Sequence, residues 1–513
     1  MKRREFIKGG SLSLAWAGAM GLDLPPLKRY SGTAFAEERH TALPIPPLLE
    51  NRDRSGQSAR FDLTVQNGVS EFFPGRSTAT LGYNGNFLGP TIRVKNGQRF
   101  RLNLTNNLQE TTTLHWHGLH VPAKWDGGPR QPIPPGATWS PEFTIKQQAA
   151  TLWYHPHALG LTGEQVYRGL AGFFLIDDEY SDMLDLPKTY GVDDIPLVFQ
   201  DRRFDFSGQF AYRLSMHDII NGVVGNYLLV NGVLKPTLSV PKGLVRFRIL
   251  NGSNSSIYRL GLSDNRQFHI IASDGGFFSR PQAVTSMILS AGERAEILVD
   301  FSQAENRSAL FLVEQYRGIR FEAMTVKTDD AVRNLQSVPA ALRPSDPIPE
   351  SKATRTRRFI METMGGGRGM MGGERGMMGG GRGMMGGGMG MMGGGRGMMG
   401  GRLTINGKRM DIGRIDERVK AGSIEVWEIE NRSGMMMNMP HSMHLHDVQF
   451  RVLSRNGNPP LPHELGRKDT VLAMPGETVR IVIKFGEYKG IYMYHCHFLE
   501  HEDDGMMGQF EVV

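Results

Sequence analysis

Pro90-Thr-Ile-Arg-Val-Lys-Asn-Gly97 runs on through Gln98 into Arg-Phe-Arg-Leu-Asn-Leu-Thr-Asn106. The pattern reads as a strand, a glycine turn, an alternating strand and an asparagine turn. It returns as Pro236-Thr-Leu-Ser-Val-Pro-Lys-Gly243 leading to Arg-Phe-Arg-Ile-Leu-Asn251. It returns again as Arg418-Val-Lys-Ala-Gly422 leading to Ile-Glu-Val-Trp-Glu-Ile-Glu-Asn431. A second signature trails each copy: Pro135-Gly136 to Phe143, Ala291-Gly292-Glu293 to Phe301, and Pro475-Gly476-Glu477 to Phe485. Three copies predict three small β domains. Short strands, Gly/Pro turns and few helical periods predict an all-β chain of Greek-key sandwiches. The chain has 513 residues, too many for one ordinary core. The expected division is 37–180, 181–330 and 403–513, with 331–402 as a linker.

Within that linker, residues 365–399 repeat Gly-Gly-Gly-Arg-Gly-Met-Met, with Glu374 and Met389 as substitutions. The seven-residue period does not announce a coiled coil, because glycine cannot hold a helix. A flexible spacer is expected. Thirteen of the 29 methionines fall in 361–400. Methionine ordinarily fills cores, and this stretch has none to fill. A thioether is a good Cu(I) ligand, so a copper-capturing role competes with a plain spacer.

The net charge of +7 invites a nucleic-acid reading. Residues 1–36, however, carry a surplus of four positive charges, and without them the chain is only about +3. Neither nucleic acid nor a membrane surface is expected as a partner. Lys2-Arg3-Arg4-Glu5-Phe6, a modest apolar run and Ala34-Phe35-Ala36 read as a twin-arginine signal peptide over 1–36. That predicts a periplasmic or secreted protein. No other stretch approaches the ~18 apolar residues that span a bilayer. A monomer is expected.

Eight of the 15 histidines form four His-x-His pairs: His115/His117, His155/His157, His444/His446 and His495/His497. Residues i and i+2 of a strand share a face, so each pair aims two imidazoles at one spot. The last pair encloses Cys496, the only cysteine, which can form no internal disulfide. Imidazole with a single thiolate suits copper. His441, Cys496, His501 and Met506 supply the donors of a blue-copper site, His2Cys with a weak axial Met. The pairs fall in the first and third copies. The second has Ser255-Ser256-Ile257-Tyr258 where a pair would be. A shared metal site is therefore expected between domains one and three, with domain two as a spacer. His40, His120, His217, His269 and His463 fit no ligand motif and read as surface or turn residues.

His115-Trp-His117-Gly118, Trp153-Tyr-His155-Pro-His157, Pro440-His441-x2-His444-Leu-His446 and His495-Cys-His497-x3-His501-x4-Met506 resemble the motifs of three-domain multicopper oxidases. The resemblance runs from about residue 57 to the C-terminus outside the repeat. Leu170-Ala171-Gly172, Glu500-His501-Glu502-Asp503 and the Met-rich insert resemble the copper-efflux branch. The resemblance implies three cupredoxin-like sandwiches and four copper ions. His441, Cys496, His501 and Met506 would hold type 1, while His115 and His444 would hold type 2. His117, His155, His157, His446, His495 and His497 would hold the type 3 pair. It also implies O2 as acceptor, and catalytic roles for Cys496 in electron transfer and for Asp126 and Glu502 in relaying protons or fixing imidazoles.

Cu(I), in copper detoxification, is the first expectation for the reductant. Small phenols and aromatic amines, as in a laccase, are the second, and a copper-binding or storage protein is the reading from another class. Met439 matches a family Cu(I) ligand. Met437 stands where the copper-efflux branch has an acid, so an all-thioether Cu(I) site at Met437 and Met439 is the expectation. A two-domain nitrite reductase is disfavoured by the three repeats.

Overall fold

A computed structural model describes residues 41–303, 308–363, 403–433 and 438–513, the side chain of Asp330 excepted. The signal segment 1–36, the Met/Gly/Arg repeat 365–399 and Met437 lie outside the described residues.

Each repeat folds as a β-sandwich, and each sandwich contains the same parallel pairing. Ser58–Phe73 runs beside Arg99–Asn106, Asp194–Arg202 beside Leu244–Asn251, and Arg355–Thr363 beside Ile424–Asn431. Sequence alternation explains the cores. In Ser58–Phe73, Phe61, Leu63 and Val65 point inward while their neighbours face out. Each sandwich closes over its own apolar core, built around Phe100, Phe247 and Trp427 respectively. The architecture is all-β, three cupredoxin-like Greek-key sandwiches, and the described α-helices are five or six residues long.

The repeated asparagine and glycine have one structural role in all three copies. Asn106, Asn251 and Asn431 are buried, and each donates its amide to one backbone carbonyl of the loop that follows (Glu110, Ser256, Met439) and to one just before the paired glycine turn (Ile133, Leu289, Ala473). The carbonyl of each accepts from the N–H of Gly136, Gly292 or Gly476 at 2.7–2.9 Å. Those glycines sit at φ +75°, +85° and +74°, where a Cβ is strained. The pair pins the loop that leads toward the metal centre.

One boundary differs from the expectation. The stretch expected to be a linker, 331–402, contains the strand Arg355–Thr363, which belongs to the third sandwich. Its buried Phe359 and Met361 contribute to that core. The low-complexity repeat nearby masks this strand's signal, because partner and strand are separated by the insert.

Candidate metal centre

Two strand pairs carry the histidines. In the first sandwich His115–His117 pairs antiparallel with Ala150–His155, and His115 stands opposite His155. In the third, His441–Leu445 pairs with Gly490–Cys496, placing His444 opposite His495 and Met443 opposite Cys496. The period of two then sorts the side chains. Trp116 turns into the first core, edge-on to Phe100 at 5.3 Å, while His115 and His117 turn toward the third sandwich. Cys496 turns into the third core while its neighbours His495 and His497 face the first sandwich.

Eight imidazoles, all buried, meet between these sandwiches. His157, His446 and His495 form one group. The Nε2 of His495 lies 3.1 Å from that of His157 and 3.2 Å from that of His446. His155 Nε2 lies 3.4 Å from His117 Nδ1, and the His497 ring is 4.8 Å from that of His117. The rings of His115 and His444 stand 5.7 Å apart, and the Nε2 atoms of both lack a hydrogen-bond partner.

The tautomers explain why these nitrogens need a cation. Glu502 Oε1 is 3.2 Å from His157 Nδ1, and its Oε2 is 3.2 Å from His495 Nδ1. Asp126 Oδ2 is 2.8 Å from His446 Nδ1. A carboxylate only accepts, so it favours the Nδ1–H form of all three rings. Three bare Nε2 lone pairs then face one another. Metal–imidazole bonds of about 2.0 Å at a tetrahedral angle put two ligand nitrogens roughly 3.3 Å apart, which matches.

A second group lies inside the third sandwich. Cys496 Sγ is 3.6 Å from His441 Nδ1 and 3.5 Å from His501 Nδ1, and the two nitrogens are 3.2 Å apart. Bonds of about 2.3 Å to sulfur and 2.0 Å to nitrogen predict roughly 3.5 Å for S···N. His501 Nε2 donates to the Ile220 carbonyl at 3.0 Å, which leaves Nδ1 free. His441 Nε2 meets the hydroxyls of Thr363 at 3.1 Å and Ser433 at 3.3 Å. His501 sits on the short helix Leu499–Asp503, whose continuation brings Met506 back so that its carbonyl accepts from Cys496 N–H at 3.0 Å. Met506 is fully buried beside this group. Met507 is the register partner of His495 in the next strand.

Electrostatics agree with the geometry. Burial above all, reinforced by neighbouring imidazoles, pushes His115, His117, His155, His444, His446 and His497 well below the usual histidine value. Burial takes His501 down to about 4 and the Cys496 thiol up to about 12. Neutral imidazoles are the form that binds a metal, and only a bound cation makes such a thiol a stable thiolate. Burial lifts Asp126 to about 6. Burial also opposes ionisation of Glu502, but His157 and His495 beside it hold it below the usual glutamate value. The donor set therefore fits copper.

Sequence reasoning missed several contributors. Asp469 Oδ1 lies 3.0 Å from His117 Nε2, and its backbone carbonyl lies 2.9 Å from His444 Nδ1. Arg294, from the second sandwich, holds Asp469 through both guanidinium nitrogens at 2.8 and 2.5 Å. Neither residue belongs to a His motif. The cross-strand register that sets Thr470 opposite His444 is the signal that locates Asp469, and it exists only in the fold. The second sandwich is thus no mere spacer. It supplies Ile220 and Arg294 to the two sites.

Three of the histidines expected at the surface or in turns differ, while His217 is exposed as expected and His40 lies outside the described residues. His269 is half-buried within the strand Phe268–Ser273. His463 is buried, and burial takes it down to about 4. His120 is half-buried, with Nδ1 against the Asp447 carbonyl. Met439, an expected Cu(I) ligand, is buried with its sulfur 3.8 Å from the Arg317 guanidinium.

Two groups of buried imidazole and thiol donors, held in and between cupredoxin-like sandwiches, define a copper redox protein. Multicopper oxidase family models match residues 64–181, 205–328 and 391–513. The multicopper oxidase mco of Staphylococcus aureus is 35% identical over 91% of this chain and 92% of its own length. The cell division protein FtsP of Escherichia coli (strain K12) is 35% identical over 100% and 99%. A solved laccase-like multi-copper oxidase CueO from the lignin-degrading Ochrobactrum sp. superposes with a TM-score of 0.78. It is 36% identical and covers 92% of this chain and 100% of that one. The chain belongs to the multicopper oxidase family and is a copper-dependent oxidoreductase.

Proposed function

We propose that this chain is a cuprous oxidase that couples one-electron oxidation of Cu(I) to reduction of O2 to water. Its expected cofactors are four copper ions: type 1 at His441, Cys496, His501 and Met506, type 2 at His115 and His444, and the type 3 pair at the other six imidazoles. Copper at these positions supplies the redox chemistry: four single electrons taken in at the thiolate site and delivered to O2, which with four protons gives two waters. The observation that carries this reading is the placement of Cys496. Its Sγ faces one donor set while the adjoining His495 and His497 belong to the other, so the two sets are joined through a few covalent bonds.

The chain's own groups do the rest. Glu502 and Asp126 fix which ring nitrogen of His157, His495 and His446 stays free. They also stand where protons must arrive for water to form. The sandwich interface excludes bulk water from the imidazoles, all of which are buried.

Support for Cu(I) as reductant comes from where the methionine-rich stretches attach. The stretch 364–402 follows directly on Thr363, and Gly434-Met-Met-Met437 follows directly on Ser433. Both of those hydroxyls touch His441 Nε2, the outer edge of the thiolate site. Soft thioethers would therefore join the chain where electrons are taken in. Copper detoxification in the periplasm or outside the cell, after twin-arginine export of a monomer, completes this reading. No helix among the described residues is long and apolar enough to cross a membrane.

A laccase-like reading is favoured by a different observation. A cleft over the same site is lined by Ile257, Tyr316, Arg317, Met439, Pro440 and Phe498. Asn221, Ser255, Ser256 and Gln315 also line it, so its walls mix apolar, aromatic and polar side chains, and a guanidinium stands beside Met439, where Cu(I) would be expected. The solved Ochrobactrum relative is described as having oxidase activity towards lignin model compounds and lignosulfonate. O2 uptake by the copper-loaded chain, with chelated Cu(I) and a simple diphenol side by side, separates the readings. Faster uptake with Cu(I), reversed when 365–399 is deleted, is the expected result. Preference for the diphenol with the repeat intact makes the chain a laccase, and bound copper without O2 uptake makes it a storage protein.

A further inference from the structure

The second sandwich contributes no imidazole, yet its turn Ser290–Arg294 presses on the cluster. A Cβ at Gly292 would come within 2.9 Å of the His497 ring. Ser290 Oγ lies 2.7 Å from Ser442 Oγ in the third sandwich. Beyond them lies a chain of five buried charges. Arg294 binds Asp469 bidentately, and its backbone N–H donates to Asp274 Oδ1 at 2.8 Å. Lys468 Nζ lies 2.9 Å from both Asp274 and Glu293. All five residues are at most 1% exposed.

Such a network is a poor way to gain stability. Desolvating buried charges costs about as much as their attraction returns, and apolar residues of like volume would serve as well. Its position points to another role. Asp469 Oδ1 meets His117 Nε2, so that ring presents Nδ1 to the cluster, 3.4 Å from His155 Nε2. His157, His446 and His495 present Nε2 instead. The Asp469 carbonyl meets His444 Nδ1, leaving His444 Nε2 free. Thr470 Oγ1 meets the same two nitrogens at 3.0 and 3.1 Å and donates to Asp469 Oδ1 at 2.9 Å. Asp469 and Thr470 together thus set the ring nitrogens of a first-sandwich and a third-sandwich histidine, and the second sandwich holds the Asp469 carboxylate.

We propose that Arg294 is a positioning residue for the copper cluster. Its planar fork holds the Asp469 carboxylate in one orientation, which fixes the His117 and His444 rings across the joint between the sandwiches. The second sandwich therefore registers the other two to each other. This rests on the reading of the imidazoles as copper ligands. Lysine cannot replace the fork, since an ammonium is a point charge without bidentate geometry.

The test uses full-length copper-loaded protein and the variants Arg294→Met, Arg294→Lys and Asp274→Asn. Copper per chain, the paramagnetic resonance of the non-blue copper, the blue absorption and thermal unfolding are measured on each. Both Arg294 variants should hold the non-blue copper roughly 10- to 100-fold more weakly, with altered hyperfine splitting, and keep the blue band. Asp274→Asn leaves both bonds from Arg294 to the Asp469 carboxylate in place. Around that fork it alters only longer contacts, 3.3 and 3.4 Å from the N–H groups of Asp469 and Thr470 and 3.6 Å from the Arg294 guanidinium. It should therefore lower stability with a smaller change in the resonance than either Arg294 variant. Should Arg294→Met fail to fold, Arg294→Lys decides. Full copper content and an unchanged resonance in Arg294→Lys would overturn the proposal. So would an equal change in Asp274→Asn, since that is what a purely structural network does. A parent chain that binds no copper and shows no blue band would instead overturn the copper reading itself.

Discussion

The first and second sandwiches share one framework and differ in what they hang on it. After Asn106 the chain reaches His115-Trp-His117, and after Asn251 it reaches Ser253-Asn254-Ser255-Ser256. Both asparagines pin their loops with the same pair of amide bonds. The first loop delivers imidazoles. The second delivers hydroxyls and an amide that receive Glu500, with Asn254 Nδ2 at 2.8 Å and Ser255 Oγ at 2.9 Å from its carboxylate. Glu500 is two residues from Glu502 on the short helix that also carries His501. The same loop position thus presents candidate metal ligands in one copy and anchors the helix that carries His501 in the other. A framework repeated three times left one copy free to orient the sites of the other two.

The sharpest break of this contrast is Cys496→Ser. The blue absorption and almost all turnover should vanish, while metal analysis still finds copper at the imidazole cluster. A variant that stays blue would show that the thiolate site lies elsewhere. Glu502→Gln comes next, because it removes the carboxylate charge that lies 3.2 Å from the Nδ1 atoms of both His157 and His495. Turnover should fall roughly 10- to 100-fold with the blue band unchanged. Wild-type rates in that variant would reduce Glu502 to a packing residue.

Glycines at equivalent turns separate framework from site. Gly136→Ala meets nothing within 4 Å and carries only the positive-φ strain, about 1–2 kcal/mol. Gly292→Ala has the same strain and also drives a methyl into the His497 ring. It should cost more in thermal unfolding and also lower the copper content, which Gly136→Ala should not do. Equal effects of the two would mean that His497 has room to move. The smallest effect is expected from deletion of 365–399, about 0.5 kcal/mol or less in stability with the blue band retained. A large loss there would show that the repeat contributes to a core.

Much of this was legible in the chain. The repeated strand, glycine and asparagine pattern defined three sandwiches, because alternation and turn chemistry are local. The His-x-His spacing defined which imidazoles act together, because a strand's period of two needs no tertiary information. Arg355–Thr363 escaped as a strand of the third sandwich because its partner, Ile424–Asn431, lies beyond the insert. His463 escaped as a buried residue because its burial comes from neighbours distant in sequence.

The sequence alone thus determined the fold class, the repeat and the donor chemistry, all of which reside in short windows. Only the tertiary structure decided which nitrogen of each ring points inward and which acids hold the outer one. It alone showed that Asp469 and Arg294 lie behind His117 and His444. Those facts depend on register between strands and on contact between sandwiches, where side chains 175 or 352 positions apart come within hydrogen-bonding distance. No spacing rule reaches that far, because such proximity is set by packing and burial rather than by local backbone geometry.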